Sequence, residues 1–74
     1  MNEMRRVNEG FDRLQRLLLA MRIGDELRAA EAAAVTGLSV EVCRTVFEGL
    51  VRVGLMAHQQ GDAFVRRSLN LIAS

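Results

Sequence analysis

Seventy-four residues, half of them hydrophobic, carry ten arginines and nine acids, with lysine, proline, tryptophan and tyrosine absent. That length holds one core and one domain, 1–74, with no room for a catalytic domain beside a regulatory one, and the composition excludes a disordered chain. A net charge of +1 gives no global reason to expect a nucleic-acid partner, since such proteins are usually plainly basic.

Cys43 is the only cysteine, which excludes an internal disulfide and a zinc site built on cysteines. The longest apolar run, Leu17 to Met21, is too short to span a bilayer. Arg5 and Arg6 precede an apolar stretch, but Glu9 and Asp12 interrupt it and no cleavage pattern follows. A cytoplasmic protein, complete from Met1 and without a membrane partner, is expected.

In chain order, the first element is a helix over about 8–23. Phe11, Leu14, Leu18 and Met21 recur at three- and four-residue steps, Leu17 widens that face, and Asp12, Arg13 and Arg16 lie opposite. Gly24 suits the position just past a helix end. A second helix is predicted over about 25–36, carried by Ala29, Ala30, Ala32, Ala33 and Ala34. Asp25 can cap it; if Leu27 opens instead in a short strand, the helix starts later. Gly37 permits a sharp turn. Ser39 then caps a third helix, about 39–53, with Glu41 favourably placed in its first turn and Cys43, Val46, Phe47 and Leu50 as its buried stripe. Gly54 stops it. From about 55 to 69 the pattern changes to two short strands around Gly61-Asp62, a β-hairpin. The fold class expected is mainly α (α+β), three helices followed by a hairpin.

Two helices joined by Val35-Thr36-Gly37-Leu38-Ser39, the second with a serine cap, make a helix-turn-helix pattern. With the hairpin added, the chain from about Phe11 to Leu69 resembles winged helix-turn-helix domains. The likeness is nearest to the N-terminal domain of IclR-type bacterial transcription regulators and to MarR-like domains. It is carried by Leu27, Glu31, Ala33, Thr36-Gly37-Leu38-Ser39, Val46-Phe47, Leu50-Val51, Gly54-Leu55 and Gly61-Asp62. The resemblance implies a transcription regulator that lays its third helix in the major groove of double-stranded DNA. Its wing would reach the adjacent backbone or minor groove. Val40, Glu41, Arg44, Thr45, Glu48 and Arg52 then face DNA, with Val42 at the margin. Arg44 is suited to donate bidentately to guanine, and Ser39 with the neighbouring helix amides can hold a phosphate. Gln59, Gln60, Arg66 and Arg67 serve the wing and its flanks, although adjacent strand residues point to opposite faces, so at most one of the two arginines faces DNA.

Three positions differ from the family's usual choices. The helix meant to read bases starts Val40-Glu41-Val42 rather than with basic or hydroxyl residues. Arg28 stands where a serine or threonine usually begins the second helix. Ala32 replaces a larger aliphatic, which predicts a thin core or a neighbour filling the gap. The alternative function is therefore a winged-helix module that binds protein and has lost DNA binding.

An enzyme is not expected. No nucleophile–base set, phosphate loop or metal cluster is present, and no cofactor or metal is implied. Asp25 and Glu26 read as structural, Cys43 as a buried small hydrophobe and His58 as an exposed strand residue. A homodimer is expected for symmetric half-sites. Val7, Phe11, Leu14, Leu18 and Met21 form a heptad-like seam, yet the same helix must cover the core. Leu69, Leu71 and Ile72 are apolar and can pack on the first helix or on a second subunit.

Overall fold

A computed structural model describes residues 2–67, with side chains from Val7 onward. The first helix, α1, spans Asn2–Ala20. It begins before the predicted residue 8 and ends short of 23, because Asp25 closes a turn directly behind it. The Asp25 carboxylate accepts from the Arg22 amide at 2.9 Å, the Arg22 carbonyl accepts from the Asp25 amide at 3.0 Å, and Gly24 sits at φ 94°. Asp25 therefore caps nothing in the second helix.

A short strand, β1 (Glu26–Arg28), intervenes, so α2 covers Ala29–Thr36 rather than starting near 25. Leu27 points inward between two exposed neighbours, the alternation of a half-buried strand. Its partner is distant: Leu27 pairs with Phe64 of β3 (Ala63–Arg66). On α2, Ala29, Ala32 and Thr36 are buried. The Thr36 hydroxyl donates to the Ala32 carbonyl at 2.7 Å and accepts from the Leu38 amide at 3.2 Å. Gly37, at φ 82°, sends its amide to the Ala33 carbonyl and turns the chain, a conformation in which a Cβ is costly.

The third helix, α3, covers Val40–Arg52. Ser39 is its N-cap, the hydroxyl oxygen accepting from the Val42 amide at 3.0 Å. Strand β2 (Met56–His58) follows and pairs antiparallel with β3 across residues 59–62, His58 opposite Phe64 and Met56 opposite Arg66. The three strands form one antiparallel sheet in the order β1-β3-β2. Both strands of the predicted 55–69 hairpin are shorter than expected; residues 68 and 69, like the apolar Leu69, Leu71 and Ile72, lie outside the described residues.

Every described element contributes to the core, which centres on Leu14, Leu27, Ala32, Phe47, Met56 and Phe64. Phe47 and Phe64 meet edge-on, centroids 5.2 Å apart. Ala32 is fully buried and belongs to the core cluster. Gly10 allows a second close approach. A Cβ there would stand 2.7 Å from Leu38 Cδ2, 2.9 Å from its Cγ and 3.2 Å from the Thr36 carbonyl. α1 thus lies directly on the α2–α3 turn.

Candidate nucleic-acid interface

Its rotation about its own axis divides α3 into three faces. Cys43 and Phe47 are buried. Val42, Val46 and Leu50 are half-buried along one flank. Glu41, Arg44, Thr45, Glu48 and Arg52 are all exposed on the remaining side. These are five of the six α3 residues that the resemblance assigned to DNA, and the core contacts of Phe47 and Cys43 are what turn them outward.

Val40 corrects that assignment. It is half-buried and packs against the core rather than standing in the exposed row, because it stands three residues before Cys43 and seven before Phe47, on the same face of the helix. Ser39 is exposed, but its hydroxyl oxygen already serves as the helix cap. Thr45 donates its hydroxyl to the Glu41 carbonyl one turn earlier, at 2.9 Å; its oxygen keeps acceptor capacity toward an outside group. Glu41 and Glu48 match Arg44 and Arg52 in number, so the exposed row carries no net charge.

The strand end supplies a second correction. Arg67 is exposed, whereas Arg66 is buried and donates from Nη1 to the Leu18 carbonyl in the last turn of α1. Alternation along β3 places Arg66 on the same face as Phe64, toward α1. Carbonyls at a helix C-terminus lack intrahelical partners and attract a cation. Arg66 is a strut between sheet and helix and is withdrawn from any surface contact.

Gln59 and Gln60 are exposed in the β2–β3 turn. That turn does not project freely. Asp62 reaches the start of α2, its carbonyl accepting from the Ala29 amide at 3.0 Å and its carboxylate from the Ala30 amide at 3.2 Å. Arg28, at the N-cap, has no side-chain acceptor of its own, and the Glu31 carboxylate returns to the Arg28 amide at 3.2 Å. A residue 32 positions away therefore caps the helix whose local cap is missing. The unusual Arg28 was a signal for such a partner; which residue would supply it was not encoded locally.

The same pinning gathers Glu26, Arg28, His58, Gln59, Gln60 and Ala63 around an open polar hollow of about 510 Å³. Arg28 thereby joins the turn glutamines, a neighbour that sequence spacing did not reveal. His58 is exposed; its Nε2–H donates to the Gly61 carbonyl at 2.6 Å, and its ring tilts against Phe64 at 5.0 Å between centroids. Cys43 is fully buried, and that burial pushes its thiol pKa up, partly opposed by the neighbouring Thr36 hydroxyl. Among the described residues no three His, Cys, Asp or Glu side chains cluster closely enough to hold a metal ion, and no helix is long and apolar enough to cross a membrane.

No protein-family model, curated protein or solved structure matches the chain.

Proposed function

We infer that this chain is a winged helix-turn-helix transcription regulator that binds double-stranded DNA through the exposed row of α3. The observation that carries the reading is the presentation of Arg44, Thr45 and Arg52 on the solvent side of a helix capped by Ser39, beyond a tight Gly37 turn. The order α1, β1, α2, α3, β2, β3 supports it, because the strands that follow α3 stand where a wing would be. In this reading Arg44 donates bidentately to a guanine. Arg52, Arg28 and Arg67 neutralise phosphates, Gln59 and Gln60 touch the neighbouring backbone, and the helix amides beside Ser39 approach a phosphate. Glu41 and Glu48 limit affinity and restrict where the helix fits, since a carboxylate is tolerated only where it accepts from a cytosine amino group.

Selection from random double-stranded DNA, at two salt concentrations, tests this reading. An enriched sequence motif is expected, with Arg44→Ala relaxing preference at one position of the motif by about 1–3 kcal/mol. Failure to enrich any sequence at the lower salt contradicts it.

A second reading rests on the cancelled charge of the α3 row and on the tethered turn, which together suit a protein surface better than a phosphate backbone. In that case the chain is an interaction module, and Arg44→Ala together with Glu48→Ala weakens capture of one protein partner while no DNA is enriched.

A further inference from the structure

Among the described residues, Val35 and Val53 are exposed singly, but the other four large exposed apolar side chains, Val7, Phe11, Leu19 and Ile23, lie along α1 and the turn after it. Val7, Phe11 and Leu19 are 47, 42 and 67 % exposed, and with the exposed Gln15 they form one ridge of α1 at strict four-residue intervals. Rows at this spacing are the ridges by which helices pack against one another. Beside the ridge runs an open apolar groove between α1 and α3, about 390 Å³, with Phe11, Leu18, Leu19, Val46, Leu50 and Leu55 on its walls. A shallower hollow of about 290 Å³ continues it past Phe11 to Val42. The heptad-like seam of the sequence divides: Val7 and Phe11 belong to the ridge and Leu18 to the groove wall, whereas Leu14 and Met21 are buried in the core.

We propose that this ridge and groove bind a second copy of the same chain, with α1 crossing the partner's α1 antiparallel about a two-fold axis at Gln15. The ridge is self-complementary about that residue. Phe11 and Leu19 lie one turn to either side, so an antiparallel pair sets Phe11 on the partner's Leu19 twice, as a two-fold contact requires. Val7 then reaches toward the partner's Ile23, a residue 60 % exposed in the turn after α1. Gln15 meets the partner's Gln15 on the axis, where a primary amide can both donate and accept.

Charge selects this orientation. Asp12 and Arg16 are exposed next to the ridge, on opposite sides of Gln15. Antiparallel pairing brings Asp12 near the partner's Arg16 in both symmetry-related places. Parallel pairing would carry the flank holding Asp12 and Arg16 to opposite sides of the contact and lose both pairs. What favours a second copy is that the apolar positions Phe11 and Leu19 and the opposite charges Asp12 and Arg16 are both satisfied by the one two-fold arrangement. The hollow past Phe11 is also lined by Ser39, Glu41 and Thr45 and so adjoins the exposed row of α3, whereas the groove itself uses none of that row, and the pairing of the ridges does not depend on what that row binds.

Sedimentation velocity on the intact chain between about 1 and 100 µM tests the proposal, micromolar association being ordinary for a contact of modest size. The mass should rise from 8.2 kDa toward twice that value. Leu19→Glu should abolish the rise while the circular dichroism spectrum stays unchanged, as expected for so exposed a side chain. Asp12→Arg should weaken association, and adding Arg16→Asp should restore it. Q15C should cross-link to a dimer under mild oxidation, whereas Q60C, in the β2–β3 turn, should not. A strict monomer at 100 µM overturns the proposal. So does a dimer that is indifferent to Leu19→Glu, or one that fails to cross-link through Q15C.

Discussion

Two helical glycines in very different surroundings allow a matched test of the packing. Gly49 in α3 has nothing within 4 Å of where a Cβ would stand, whereas Gly10 in α1 faces Leu38 and the Thr36 carbonyl at 2.7–3.2 Å. Replacing glycine by alanine inside a helix gains about 0.5–1 kcal/mol from backbone entropy alone. Gly49→Ala should show that gain in full. Gly10→Ala earns the same helical term but forces α1 away from the α2–α3 turn. Overpacking of this kind costs about 1–3 kcal/mol. Leu38 is only half-buried and can yield somewhat, but the Thr36 carbonyl is backbone and cannot move without disturbing the turn. The expected difference between the two variants is about 1–3 kcal/mol in favour of Gly49→Ala. In a domain of this size each kcal/mol moves the melting temperature by about 4–8 °C. Thermal melts and urea titrations at one pH measure both. Equal stabilisation by the two substitutions would refute the close approach of α1 to the turn.

Asp62→Ala should cost about 1 kcal/mol, the usual loss of a helix cap, while Asp62→Asn, which keeps an acceptor, should retain most of the stability in the same urea titrations. Arg66→Met, which keeps the aliphatic stem but removes the guanidinium from the Leu18 carbonyl and leaves it only the Met21 amide, should cost about 1.5–3 kcal/mol, the usual range for a hydrogen bond to a charged group, and leave the salt dependence of any DNA binding unchanged. Cys43 carries a pH signature. Its folded pKa is raised by burial, so its contribution to stability is complete below the unfolded thiol pKa of about 8.5 and is lost as pH rises from there toward the folded value. With no lysine or tyrosine in the chain, only the α-amino group titrates nearby. Urea titrations from pH 7 to 10 should show stability falling above about pH 8.5 by at most ~1.4 kcal/mol per pH unit, and Cys43→Ala should flatten that fall.

The parts of the molecule that sequence periodicity revealed are those decided within one or two turns. The Ser39 cap, the buried Cys43 and Phe47, and the outward set Glu41, Arg44, Thr45, Glu48 and Arg52 follow from helical spacing and cap chemistry alone. The rest depends on partners far along the chain. Alanine-rich composition favours helix from Asp25 onward, yet pairing of Leu27 with Phe64 takes three residues for β1, an instance of tertiary contact overriding propensity. Asp62 reads locally as a turn residue and acts as the cap of α2. Arg66 reads as a surface cation and is buried against Leu18; only the β3 register decides which of Arg66 and Arg67 faces out. Gly10 carried no signal in a helix that looked merely amphipathic, because its role is defined by Leu38.

The central claim is that the exposed row of α3 and the turn beside it bind double-stranded DNA. The most direct measurement is the affinity for a selected duplex across a salt series, by fluorescence anisotropy. About three phosphates neutralised by each of two copies predict a log–log slope of about −5, reduced in magnitude by about two on replacing Arg52 in both copies with alanine. A slope near zero, or no detectable binding at 50 mM salt, would contradict the account and leave α3 as a surface for protein.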